Sequence, residues 1–155
     1  MIELEPIGWV RGGRTDAVDD DWGDVEATIG LDPVHYSPDA LTGLDEFSHV
    51  DVVYHFHLLD RSGVVVGTRR PRGNPDWPAI GIFAQRGRAR PNRLGVTTAE
   101  LIGVDGLDVR VRGLDAVEGT PVLDLKPHMS GFAPRTTVRE PRWALEIMRD
   151  YWHRS

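Results

Sequence analysis

Four arginines, Arg86, Arg88, Arg90 and Arg93, crowd the short stretch from Gly81 to Gly95. Guanidinium groups at that density repel one another unless something anionic or electron-rich sits among them, which makes this loop the first candidate binding site. The neighbourhood is skewed the same way. Between Arg61 and Gly95 there are eight arginines against one acid, Asp76, whereas Thr15 to Asp60 holds twelve acidic residues and neither lysine nor arginine. Such an asymmetry predicts an electropositive surface facing a phosphate-bearing or otherwise anionic partner. The overall net charge of -6 argues mildly against a general nucleic-acid binder.

Two further constellations carry polar chemistry. His55 and His57, with Asp51, fall on one face of an apolar strand, and a His-x-His pair can offer two imidazoles to a metal. No third or fourth ligand stands in register, so a packed or hydrogen-bonding role is favoured and no metal is assigned. His49, at the strand start, suits a capping role. The segment from Gly113 to His128 ends in Asp124, Lys126 and His128 at alternate positions. It reads either as a hairpin with a surface ion pair or, through the turn Gly119-Thr120-Pro121, as backbone amides aimed at a small ligand. No nucleophile elbow, Gly-x-Gly-x-x-Gly or phosphate-loop pattern follows a strand.

The elements that must position these groups are mostly strands. Ile2 to Val10 is the first, ended by Gly12-Gly13, and the acidic run Asp19 to Asp24 forms a loop. Val25 to Leu31 alternates cleanly. Ser37-Pro38 opens a short helix over Pro38 to Thr42. His49 to Leu58 is the most apolar strand of the first half, with Val50, Val52, Tyr54 and Phe56 on one face. Val64 to Thr68 and the apolar start of the arginine loop (Ile80, Ile82, Phe83, Ala84) are further strands, separated by a proline-rich loop over Arg69 to Pro78. Thr97 to Val104 and Leu107 to Leu114 form a hairpin about Asp105-Gly106, and Arg110 and Arg112 point to solvent. Pro121 to Leu125 follows. Trp143, Ile147 and Tyr151 recur every four residues, predicting an amphipathic helix over 141–152. The fold class is therefore mainly β, an antiparallel barrel or sandwich with one short and one C-terminal helix.

A chain of 155 residues supports a single domain, 1–155. The absence of cysteine excludes a disulfide scaffold, a thiolate metal site and a cysteine nucleophile. No apolar run approaches the length of a membrane span and Met1 to Glu5 lacks signal-peptide character, so a soluble cytoplasmic protein is expected. Lys126 is the only lysine, a bias that base composition explains as well as function does.

Taken together, Gly81-Ile-Phe-Ala-Gln-Arg86, Arg90-Pro-Asn92, Leu94-Gly95, Gly113-Leu-Asp115, Gly119-Thr-Pro-Val-Leu-Asp124 and Lys126-Pro127 resemble the signatures of the TsaA-like barrel family. Its best-known members are the TrmO tRNA methyltransferases. Leu44 to His49, Phe56-His57 and Ile7-Gly8 with Arg11 match its upstream patterns, and the similarity runs from Ile7 to His128. The resemblance implies a small β-barrel, working as a homodimer, that uses S-adenosylmethionine to methylate N6 of threonylcarbamoyl-adenosine beside the anticodon of tRNA. It places cofactor contacts on His57, Leu58, Arg86, Val117, Glu118, Gly119 and Thr120. Substrate contacts fall on Arg88, Arg90, Asn92, Arg93, Lys126 and His128, with Arg90 and Asn92 shaping the cofactor pocket as well. A proton acceptor for the amide-type nitrogen would be His57 or Asp124. Arg93, Leu58, Glu118 and His128 depart from the family pattern, as does the acidic Asp19 to Asp24 loop, and these departures bear on the substrate. The alternatives are a methyltransferase of the same fold acting on a small metabolite, a non-catalytic RNA- or ligand-binding barrel, and a His-x-His metal protein.

Overall fold

Strict alternation of apolar and polar residues dictates which strands close on one another. The computed structural model describes residues 1–154; Ser155, the last residue of the expected domain span, lies outside the described residues. Six strands, β1 (Gly8–Arg11), β2 (Glu26–Leu31), β3 (His49–His55), β6 (Leu94–Asp105), β7 (Asp108–Arg112) and β8 (Pro121–Pro127), form a closed barrel in the order β1-β2-β7-β6-β3-β8. Every neighbouring pair is antiparallel. Two short strands between β3 and β6, β4 (Thr68–Arg69) and β5 (Ile80–Gly81), pair only with each other. The expected antiparallel barrel is thus the architecture observed.

Closure removes every sheet edge within the barrel and leaves its interior to be filled by side chains. Val10, Ile29, Val50, Val52, Val109, Val111, Leu114 and Val122 are all at 0% exposure. Burying an aliphatic side chain completely contributes roughly 1.5–3 kcal/mol, so this small set dominates the barrel's stability. Strand β3 is the centre of the wall. It pairs with β6 from His49↔Glu100 to His55↔Leu94, and with β8 on its other side from Val50↔Pro127 to Val53↔Asp124, where a bulge shifts the register. Outside the barrel, Arg112 joins three strands by meeting Glu26 at 2.7 Å and Glu100 at 3.1 Å.

Several elements differ from the sequence expectation for identifiable reasons. The first strand is confined to Gly8–Arg11, because Pro6 cannot donate to a ladder. Val64 to Thr68 is not a strand: its valines do not alternate, Val66 is 82% exposed, and only Thr68 enters a ladder. The strand expected at the head of the arginine loop stops at Gly81, and Ile82–Ala84 turns as a 3₁₀ helix that buries Ile82. The short helix is likewise a 3₁₀ turn, Pro38–Leu41. The hairpin connection is Gly106-Leu107, one residue later than expected, with Gly106 at φ 60° in the first central position.

The C-terminal helix, α1 (Arg142–Ile147), is much shorter than 141–152. The carbonyls of Asp150, Tyr151 and Trp152 accept from the amides of Asp21, Trp22 and Gly23, so these residues pair with the acidic loop instead of continuing a helix. That loop is anchored by Trp22, only 3% exposed, whose ring lies 4.6 Å under the Arg14 guanidinium and whose Nε1 donates to Val18 at 3.1 Å. Trp77 Nε1 donates to Glu146 at 2.9 Å and pins α1 from the other side. Among the described residues no helix is long and apolar enough to cross a membrane.

Gly8 sits where β1 approaches β2 most closely. A Cβ there would stand 2.9 Å from the Gly30 carbonyl carbon and from Leu31 Cα, backbone atoms that cannot swing aside. Gly8→Ala should therefore lower unfolding free energy by about 1–3 kcal/mol, read as a reduced urea midpoint at constant slope; an unchanged midpoint would contradict this packing.

Candidate functional site

One end of the barrel is polar, and the strand periodicity explains why. Tyr54 on β3 and Thr97 on β6 both face inward, beyond the last valines, and the chain leaving β7 drops Leu114 into the core and leaves Asp115 opposite them. The Asp115 carboxylate accepts from Tyr54 OH at 3.0 Å and from Thr97 Oγ1 at 2.5 Å on one oxygen, and from the Tyr151 hydroxyl on the other. Burial, and then the Asp115 charge, push both phenols well above the usual tyrosine range, so they remain donors. Gly95 lies opposite Tyr54 in the ladder, and a Cβ there would come within 2.6 Å of the Tyr54 ring. Only glycine lets the phenol reach its carboxylate.

Next to this cluster, the Tyr54 and Phe56 rings meet edge to face at 5.4 Å. The ladder ends at His55, and the His57 amide donates back to the His55 carbonyl at 2.8 Å. The turn so made brings His57 to Gly119, where a Cβ would stand 3.7 Å from His57 Nε2. Gly119 adopts φ 85° and donates its amide to Val10, while Glu118 donates to Arg14. Thr120 closes the turn through its amide and hydroxyl, both onto the Val117 carbonyl. Val117 and Thr120 are buried; Glu118 and Gly119 are exposed. The amides of Glu118, Gly119 and Thr120 are thus spent within the chain and not aimed at a ligand as the sequence suggested; what the turn presents beside the imidazole is one carboxylate and solvent-exposed backbone.

The arginine loop is organised by its own carbonyls. Buried Gln85 donates to the carbonyls of Arg69 and Ile80. Arg90 donates to Gln85 O at 2.6 Å, and Arg93 to Leu59 O at 2.5 Å. Asn92 and Arg93, at φ 64° and 51°, make the tight turn that lets the Arg93 carbonyl receive the Phe56 amide. Arg86 donates to Val96 O at 2.7 Å yet stays exposed, and lies close enough to Tyr54 to favour that phenol's ionised form. Arg72 meets Asp20 at 2.9 Å, so the basic and acidic halves of the chain partly neutralise one another. Among the described residues, the side chains of Arg61, Arg69 and Arg88 make no hydrogen bond or ion pair.

Of the sequence-predicted site residues, His57 and the turn Val117 to Thr120 come together. Arg86 stands near Tyr54, Arg90 and Arg93 serve the loop's backbone, and Leu58, Arg88 and Asn92 are exposed. Asp124, Lys126 and His128 occupy the outer wall. There Lys126 meets Asp124 at 2.8 Å, which raises the lysine's pKa, and His128 Nδ1 meets Asp51 at 3.2 Å. The sequence reading missed Tyr54, Thr97, Asp115 and Tyr151 as a unit. The inward phase of Tyr54 and the polar Asp115 after Leu114 were the available signals. Among the described residues, no group of three or more His, Asp or Glu side chains is suited to hold a metal. Around this end of the chain Arg86 is an exposed cation, Glu118 an exposed anion and Leu58 exposed apolar surface.

The chain matches the family described as tRNA-methyltransferase O N-terminal domain over residues 20–134. It is 36% identical over 116 residues to a probable S-adenosyl-L-methionine-binding protein of Pyrococcus abyssi, covering 75% of this chain and 59% of that one. A probable S-adenosyl-L-methionine-binding protein of Methanothermobacter thermautotrophicus is 38% identical over 134 residues, 82% of this chain and 90% of its own. The human tRNA (adenine(37)-N6)-methyltransferase is 36% identical over 102 residues, 66% of this chain but 23% of that protein. The crystal structure of TrmO from Pseudomonas aeruginosa superposes with a TM-score of 0.72 at 26% identity, over 90% of this chain and 61% of that one.

Within the site, His55 is held below the usual histidine pKa of 6.5, first by burial and then by the nearby Arg93, His57 and Arg61. The folded chain thus resists protonating this ring, and stability falls as pH drops through the unfolded value of 6.5. Histidine-ring NMR should give a His55 midpoint below 6.5 that rises in Arg93→Ala; a midpoint at or above 6.5 in the native chain would contradict the described environment.

Proposed function

The chain belongs to the tRNA-methyltransferase O N-terminal domain family, and on that footing we propose that it is an S-adenosylmethionine-dependent methyltransferase. Its acceptor in this reading is N6 of threonylcarbamoyl-adenosine beside the anticodon of tRNA. The relatives' names support the cofactor and the adenine-N6 chemistry. Since the chain spans 59% of the Pyrococcus relative and 61% of the solved TrmO chain, activity and substrate are proposed for this chain on its own residues as well.

The observation that carries the reading is the juxtaposition of His57 Nε2 with the exposed Glu118-Gly119 turn, next to the Tyr54-Asp115 cluster. When bound, S-adenosylmethionine supplies a methyl group activated by a positively charged sulfur. The chain's part is positioning, since close in-line approach can supply much of the rate without a metal. Arg86, exposed and with guanidinium hydrogens left after its bond to Val96, receives the amino-acid carboxylate. Glu118 meets the ribose hydroxyls or the ammonium group, and Leu58 covers apolar surface. As the bond from N6 to the methyl carbon formed and the sulfur–methyl bond broke, leaving a neutral thioether, His57 Nε2 would take the proton that N6 loses. Asp124 is the weaker choice for that role, being paired with Lys126.

Arg88, together with Arg61 and Arg69, whose side chains have no hydrogen-bond or ion-pair partner among the described residues, meets tRNA phosphates. Lys126 and His128 extend the contact along the outer wall, while Arg90, Asn92 and Arg93 hold the loop that carries Arg88. The protein works as a cytoplasmic homodimer in this reading, and the exposed apolar side chains of Phe83 and Val96 are surface a second copy would cover.

Calorimetry should detect S-adenosylmethionine binding, weakened about tenfold in Arg86→Ala, equivalent to about 1.4 kcal/mol. No binding at millimolar cofactor would overturn the methyltransferase reading. Nucleosides from tRNA of a strain lacking the protein should lose the methylated form of threonylcarbamoyl-adenosine. An unchanged level alongside intact cofactor binding would move the acceptor to a small metabolite.

A further inference from the structure

The turn next to His57 is gripped from both ends by one stretch near the C-terminus. At its entrance Asp115 is held by three hydroxyls from elements far apart in sequence: Tyr54 on β3, Thr97 on β6 and Tyr151 beyond α1. Among the described residues no cation pairs with this carboxylate, and the three hydroxyls supply the hydrogen bonds that a partly buried charge requires. Tyr54 OH also reaches the Asp115 carbonyl at 3.3 Å, fixing the backbone two residues before Val117.

Further along the turn, the Glu118 amide donates to the carbonyl of Arg14 at 2.8 Å. Arg14 lies over Trp22 and bonds the carbonyls of Asp20 and Asp21. The amides of Asp21, Trp22 and Gly23 in turn reach the carbonyls of Asp150, Tyr151 and Trp152. Tyr151 therefore holds the turn twice, through its side chain to Asp115 and through its carbonyl to Trp22, then Arg14, then Glu118.

We propose that Asp115 is a positioning residue for the turn Val117 to Thr120, and that Tyr151 makes the geometry of this turn depend on docking of the 148–153 segment. This rests on the reading that the turn holds S-adenosylmethionine. Neither residue takes part in methyl transfer. Their effect is to keep the Gly119 backbone beside His57, so cofactor affinity follows whether the C-terminal segment is seated. The two buried phenols stay protonated and so remain donors across the working pH range, and the Thr97 hydroxyl does not titrate there.

The test uses Tyr151→Phe and Thr97→Val, which delete one hydroxyl each at nearly constant shape, with Thr97→Ser as the conservative control. Amide resonances of Glu118, Gly119 and Thr120, recorded without cofactor, should shift in Tyr151→Phe and Thr97→Val and stay near native in Thr97→Ser. In the same two variants the cofactor KM should rise about tenfold with kcat at saturation little changed, and the double variant should fall short of the product of the single effects because both act on one carboxylate. A purely structural role would lower the melting temperature and leave KM at low temperature unchanged, and that result overturns the proposal. Unmoved turn resonances overturn it as well, even if the native chain binds cofactor. Shifted resonances in a native chain that binds no S-adenosylmethionine would sink the cofactor assignment and leave the clamp standing. Should Tyr151→Phe fail to fold, Thr97→Val decides by the same readings.

Discussion

Asp115, a carboxylate that no cation pairs among the described residues, is where the barrel, the turn at its mouth and the C-terminal segment meet. Tyr54, Thr97 and Tyr151 reach it from three separate parts of the chain. Each hydroxyl alone is a modest contributor, on the order of 1 kcal/mol, but losing one would leave a partly buried charge short of donors, which costs more. The arrangement is consequently all or nothing, and it constrains its surroundings. Gly95 must lack a side chain for Tyr54 to fit, β3 must hold its register with β6, and Leu114 must be buried for Asp115 to arrive at the right height.

From that constraint the distribution of polar groups follows. The barrel interior is packed mainly with valine, isoleucine, leucine and alanine, so recognition chemistry gathers at the ends and on the outer wall. The long connection from β3 to β6 supplies Arg86, Arg90 and Arg93. Two of these guanidinium groups fasten the loop by capping its carbonyls, and Arg86 stays open to solvent. The crowding that suggests a bound anion is thus relieved in part by backbone oxygens, and a ligand need neutralise only what remains.

Much of the fold was legible in the sequence because a barrel strand writes its phase into its residues. β2, β3 and β7 alternate so strictly that their inward faces could be read directly, and the Gly113 to Asp124 motif marked the turn that lies beside His57. What could not be read depends on contacts between distant segments. The helix expected over 141–152 has the right period, yet its second half gives up helical bonds for the amides of Asp21 to Gly23. Tyr151 looked like one position of an apolar stripe and is instead a hydroxyl donor to Asp115, a pairing across 36 residues that no local pattern encodes. Val64 to Thr68 had strand-forming residues without a partner strand, and propensity alone did not build one. The acidic run read only as a loop because its single tryptophan was outnumbered, although burial of Trp22 is what anchors it.

Crystals grown with S-adenosylmethionine give the most direct measurement. Electron density for the cofactor is predicted against the Val117 to Thr120 turn, beside His57 and within reach of the Arg86 guanidinium, with the Tyr151 hydroxyl still on Asp115. Density for an ordered cofactor elsewhere, such as in the open groove lined by Thr137, Val138, Arg139, Glu140 and Leu145, would contradict the assignment of the barrel mouth as the site of methyl transfer.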